Sequence, residues 1–152
     1  MADTPPYGAY AALMAAFAGG LAGAGALARA LDRDPYEHTP LDLAALALAT
    51  FKAARTIARD PVTSWLREPL EEDADSGLEQ ALAELVTCSR CVGTWVAAGL
   101  GSTQIIAPRF GRLLTWTLGA AGLNDFLQAA FAALTHKSDE LSERVSEQEL
   151  TQ

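Results

Sequence analysis

The chain is poor in the residues that do most enzymatic work. Of its 152 residues only two are histidine and two are cysteine, and only 20% are charged. His38 and His136 lie far from each other and from the cysteines, which argues against a general-base site. Cys88 and Cys91 form one CxxC pair, too little for the disulfide framework of a small secreted domain. There is no phosphate-binding GxxxxGKS/T loop, no GxSxG elbow, no HExxH and no framed carboxylate pair. Basic residues are scarce too, 11 against 19 acidic ones, for a formal net charge of −8. Such a chain repels phosphate backbones, so no nucleic-acid partner is expected. Before Tyr7 there is no lysine or arginine, only Asp3, which speaks against a signal peptide's basic start.

What is present is apolar and segregated. Half the residues are hydrophobic, yet the mean hydropathy is only +0.12, because alanine supplies much of the apolar count. Charges gather in blocks, notably Glu71–Asp75 and the tail from Asp139 to Glu149, both read as solvated. Tyr7 to Ala28 carries no charge at all, and at about 1.5 Å per residue it covers a hydrocarbon core of about 30 Å. A retained transmembrane helix is the expectation. Within it Ala15, Gly19 and Gly23 recur every fourth residue beside Ala16, Gly20 and Ala24, rows that let another helix approach closely. The same rows also follow from a simple Ala/Gly bias.

After a hinge over Arg29–Pro40, a second helix is expected from Leu41 to about Arg59, with Lys52, Arg55 and Arg59 roughly on one side. Asp60-Pro61 breaks it, and Trp65 in the following segment is an interfacial anchor. Leu78–Val86 has the pattern of a short amphipathic helix leading into the CxxC. Cys91 to Ala107 is uncharged, with Gly93, Ala97 and Gly101 as another small-residue row. Leu113 to Leu134 is apolar except around Asn124, Asp125 and Gln128. Arginine or lysine stands in every connecting segment, so charge bias leaves orientation open, although the start without basic residues favours an outward N-terminus.

Three motifs, in order, carry a resemblance. Thr50-Phe51-Lys52-Ala53-Ala54-Arg55 with Arg59-Asp60-Pro61-Val62-Thr63, Arg67 and Pro69 is the first. Glu84 to Trp95, containing Cys88-Ser89-Arg90-Cys91, is the second, and Gly122 to Gln128 the third. Together they resemble the bacterial family called domain of unknown function 1360, over about residues 41–134. The resemblance implies a small bacterial membrane protein with no established activity. That family commonly has proline after the first cysteine, where this chain has Ser89, which weakens a thioredoxin-like reading.

Three groups are candidates for chemistry. Cys88 and Cys91 are a redox pair, a structural pair at a helix start, or two metal ligands of a zinc site that needs four. Arg55, Arg59, Asp60 and Arg67 form a basic cluster able to pair internally or with lipid phosphate. Asp125, in an apolar helix, must find a partner or a proton, and Arg55 or Arg59 is the natural one. A structural ion-pair knot is expected here rather than catalysis.

The sequence therefore predicts an all-α, multi-pass cell-membrane protein with three to four hydrophobic helices and a short amphipathic helix before the CxxC. It divides into residues 1–40 (hydrophobic helix and linker), 41–134 (helical membrane domain) and 135–152 (acidic polar tail). The expected partners are membrane lipid and other protein subunits or a second copy, with no metal or cofactor. The alternatives are a membrane thiol–disulfide protein using Cys88 and Cys91, and an Ala-rich helical subunit covered by partners rather than lipid.

Overall fold

Local chemistry sets where the helices begin and stop. The second helix starts on a capping box: Thr39 Oγ1 accepts from the Asp42 N–H at 3.2 Å, and Asp42 Oδ2 accepts from the Thr39 N–H at 2.9 Å. Pro40 follows at the first helical position. Caps of this kind stabilise a helix start by about 1 kcal/mol. At the other end Asp60, held extended by the proline after it, terminates the helix. Asp32 closes the first helix in the left-handed conformation at φ 52°, and the Arg33 N–H donates back to Ala28 O at 2.9 Å.

The computed structural model describes residues 6–33, 39–72 and 77–150, with side chains for all of these except 70–72 and 142–150. Every element among them is helical: α1 (Tyr7–Ala30), α2 (Pro40–Arg59), a 3-10 turn (Pro61–Thr63), α3 (Ser64–Glu72), α4 (Gly77–Thr87), α5 (Ser89–Ile106) and α6 (Pro108–Leu150). The protein is all-α, as expected. His38, much of the hinge and the centre of the acidic loop lie outside the described residues. α6 differs most from expectation, since it continues past His136 and Lys137 without a break near residue 134. No glycine or proline interrupts residues 135–150, and Glu140 pairs with both His136 and Lys137 one turn before it.

α2 is the centre. It packs between α5 and α6, while α1 lies outside against α5 and α4. α6 runs in the same direction as α2: Gly119 sits on Ala45, Gly122 on Leu48, and Asp125 pairs with Lys52. α5 runs the opposite way, with Gly93 beside Ala54 and Gly101 beside Leu46. Only Ala107 separates α5 from α6, so a Cβ at Gly111 would lie 2.5 Å from Gln104 Cα. α1 is attached by an edge-on Phe17–Trp95 contact (5.2 Å between rings) and by the Tyr10 hydroxyl donating to Glu84 Oε2 at 2.5 Å.

The interior is made of small residues. Among the described residues the buried hydrophobic side chains are Ala28, Ala45, Ala49, Ala54, Ala58, Ala81, Val92 and Leu100. Many large ones point outward: Met14 is 74% exposed, Phe131 69% and Leu113 66%. In α6 a row of Gly111, Thr115, Gly119 and Gly122, all buried, faces inward. A Cβ on Gly119 would stand 2.9 Å from Ala45 O, and one on Gly122 would stand 2.6 Å from Leu48 O. Neither carbonyl can yield without moving a helix. α1 is the one described helix long and apolar enough to cross a membrane.

This packing gives a sharp contrast between glycines. Gly122→Ala should cost about 1–3 kcal/mol by forcing α2 and α6 apart. Gly19→Ala, whose added Cβ meets nothing within 4 Å, should change stability by no more than about 0.5 kcal/mol. Melting both variants in the same medium checks this; equal losses would mean that the α2–α6 contact is not tight.

Candidate functional site

The sequence-predicted arginines and cysteines collect at one end of the bundle, where the last turns of α2 meet the start of α5. Asp60 and Arg67 are used to finish α2. The Thr56 hydroxyl donates to Asp60 Oδ2 at 2.7 Å, and the Thr63 hydroxyl donates to Thr56 O at 2.6 Å. Arg67 Nη1 donates to Ile57 O at 2.8 Å and to Asp60 O at 3.2 Å. The guanidinium thus satisfies carbonyls that a helix end leaves open. Arg67 works here as a cap from α3 rather than as one half of an ion pair.

Asp125 does find a cation, one turn before those the sequence offered. Lys52 Nζ lies 2.9 Å from Asp125 Oδ2, with the two side chains 27% and 34% exposed. Phe51 and Phe126 stack beside the pair at 4.8 Å. A pocket of about 410 Å³ opens there, bordered by Lys52, Arg55, Asp60, Asp125 and Gln128. Arg55 also lines a second pocket of about 670 Å³, together with Arg59 and with Ser89, Arg90 and Gly93 at the first turns of α5. Among the described residues, no carboxylate lies within ion-pairing distance of Arg55, Arg59 or Arg90.

Cys88 is the N-cap of α5, its Sγ accepting from the Cys91 N–H at 3.3 Å. Both thiols are free. The Cys91 thiol's hydrogen bond, then the Cys91 N–H, hold the Cys88 thiol below its ordinary pKa, with the Arg90 N–H and charge adding to the effect against slight desolvation. The arrangement favours a thiolate at Cys88. Among the described residues no group of three or more His, Cys, Asp and Glu side chains is placed to hold a metal ion.

The small-residue rows fare differently. Gly93 and Gly101 meet α2 at ordinary contact distance, and Ala97 on the same helix is half-buried. Ala15, Gly19 and Gly23 are exposed, and a Cβ added at either glycine would meet nothing within 4 Å among the described residues. Sequence reading missed Lys52 as the partner of Asp125, and it missed Asp42, which is buried and carries a 3.5 Å contact from Arg112 Nε. It also missed the inward row of α6, although Gly119 and Gly122 were there to be read beside the apolar residues.

This geometry defines a class: a small helical protein with one helix fit to cross a membrane, a glycine-seamed core and a basic, thiol-bearing end. Residues 45–131 match the family model described as "Protein of unknown function (DUF1360)", and the chain belongs to that family. It is also similar to the "Sporulation protein YjcA" of Bacillus subtilis (strain 168), 30% identical over 104 residues that make up 58% of this chain and 88% of that protein. No solved structure matches. The family match takes in most of α2 and both of these basic pockets, whereas α1 precedes it.

Two outcomes follow from the geometry. Because the Cys88 pKa is lowered, its thiolate disappears only as pH falls through that lowered value; alkylation of Cys88 should therefore persist to more acidic pH than that of free cysteine. Cys91→Ala should move the midpoint back up. Identical profiles for Cys88 and free cysteine would contradict the hydrogen-bonded arrangement. For the ion pair, a double-mutant cycle with Lys52→Met and Asp125→Leu should give a coupling of about 0.5–1 kcal/mol, as suits a partly exposed pair.

Proposed function

We propose that this protein is a multi-pass membrane component that acts by packing against other subunits or a second copy, with no reaction of its own. The observation that carries this reading is the inverted distribution of side chains: alanine and glycine inside, leucine, phenylalanine and methionine outside. In water so much exposed apolar surface drives association, whereas in lipid it costs nothing. α1 is 24 residues long, about 36 Å, and only Ala28 in it is buried. α5 offers about 25 Å between Arg90 and the turn at Ala107, close to the thickness of a hydrocarbon core. Lys52 and Asp125 neutralise each other between α2 and α6, which lowers the cost of placing them at depth. The outward row of Ala15, Gly19 and Gly23 is the face offered to a neighbouring helix.

The name of the Bacillus subtilis relative associates that protein with sporulation, and a role in a membrane assembly of that process is the biological setting this reading suggests. A second reading rests on Cys88. A thiol of lowered pKa at a helix start, three residues from a second free thiol, is equipped for dithiol–disulfide exchange with a partner disulfide, which would accept the two electrons and two protons released.

Alkaline carbonate extraction separates these ideas from a subunit covered only by protein. The chain should stay with the membrane pellet, and a Gly19→Cys variant should form a crosslinked species in membranes while a Leu27→Cys variant forms less. Release into the supernatant at high pH would remove the membrane reading. A Cys88→Ser/Cys91→Ser double variant that assembles normally would remove the redox one.

A further inference from the structure

The pocket between α2 and α5 is basic in a way the fold does not use. Arg67 caps carbonyls and Lys52 holds Asp125, but Arg55, Arg59 and Arg90 line one cavity of about 670 Å³ without a carboxylate partner among the described residues. Two helices contribute them: Arg55 and Arg59 lie one turn apart on α2, and Arg90 comes from the first turn of α5. Like charges brought to one cavity repel, and this arrangement is stable only if solvent or an anion compensates them. Among the apolar residues that complete the lining, two hydroxyls supply further donors for an anion with several acceptor oxygens. Ser89 presents a hydroxyl, and Thr50 Oγ1 is buried with no hydrogen-bond partner. The first turn of α5 adds the positive end of a helix dipole. Asp60 and Asp125 border the adjoining pocket, which Arg55 also lines, and they are engaged by Thr56 and Lys52.

We propose that Arg55, Arg59 and Arg90 form a binding site for a phosphate group, with Ser89 and Thr50 as neutral donors. Guanidinium groups bind phosphate through paired, charge-assisted hydrogen bonds, which a lone lysine cannot reproduce. The site lies at the level of Cys91, which borders α1 near Tyr10 on the other side of α5. In the membrane reading proposed above, that level is where α1 begins to enter the bilayer, so a phosphate borne by a lipid headgroup reaches it as readily as a free one. The site itself depends only on the three arginines.

Titration of the full-length protein in neutral detergent tests this. One arm uses inorganic phosphate, and the other uses mixed micelles with phosphatidylglycerol, compared with phosphatidylcholine. Saturable binding is expected in at least one arm, weakened about tenfold by Arg59→Gln or Arg90→Gln. Arg33→Gln and Arg109→Gln, beside the α5–α6 turn, should change it by less than about twofold. Phosphate that binds alone and competes with the lipid assigns a free anion; binding of the lipid without phosphate assigns a headgroup. No saturable binding in either arm, or equal weakening by all four substitutions, overturns the site. If Arg59→Gln does not fold, the salt dependence of wild-type binding decides: affinity unchanged by salt also overturns it. The phosphate arm is read in detergent, so its failure leaves the carbonate result intact and separates this site from the membrane reading.

Discussion

The close approach of α2 and α6 at Gly119 and Gly122 is the constraint on which the rest of this structure depends. A carbonyl of α2 lies where the Cβ of any other residue would be, so the two helices run side by side almost backbone to backbone. That contact sets the register that brings Asp125 to Lys52 and Phe126 to Phe51. It also fixes what the core can contain. With helices this near, alanine, glycine and Thr115 fill the space between them, and among the described residues Val92 and Leu100 of α5 are the only larger apolar side chains that are buried.

Two consequences follow for function. Stability cannot come chiefly from burying large side chains away from water, because so few are buried; it comes from close packing of small residues, the mode suited to a lipid surround. Charge, meanwhile, is sorted along the bundle. Arg33 and Arg109 gather at the α5–α6 turn, and Arg55, Arg59, Arg67 and Arg90 gather where α2 ends and α5 begins. The basic end also holds Cys88, whose thiol hydrogen bonds and nearby guanidinium favour the charged form. The feature richest in chemistry and the unneutralised arginines therefore occupy one end of one helix pair.

Much of this was legible in the sequence, for identifiable reasons. Uncharged runs and proline breaks gave α1, α2 and α5 nearly to the residue, because Asp60-Pro61 and the run after Tyr7 act locally. The family followed from three ordered motifs, and the match over residues 45–131 agrees. What escaped depends on contacts between distant segments. Lys52 and Arg55 are equally plausible partners for Asp125 until the register of α2 on α6 is known, and that register is decided by two glycines 70 residues or more from the carbonyls they touch. Thr39 and Asp42 were readable as a capping box, yet the 3.5 Å approach of Arg112 to the same aspartate was not. In α1 the opposite occurred: a clear small-residue row is exposed, and a Cβ added at Gly19 or Gly23 would meet nothing among the described residues.

Whether lipid covers the outward face of the bundle can be measured at Trp116, which is half exposed on α6 one turn from Gly119. With Trp65 and Trp95 replaced by phenylalanine, the protein is reconstituted into bilayers whose lipids carry bromine on the acyl chains. Strong quenching of the Trp116 fluorescence relative to unbrominated bilayers is the result this account predicts. Emission that is indifferent to acyl-chain bromine, with the protein folded, would contradict it.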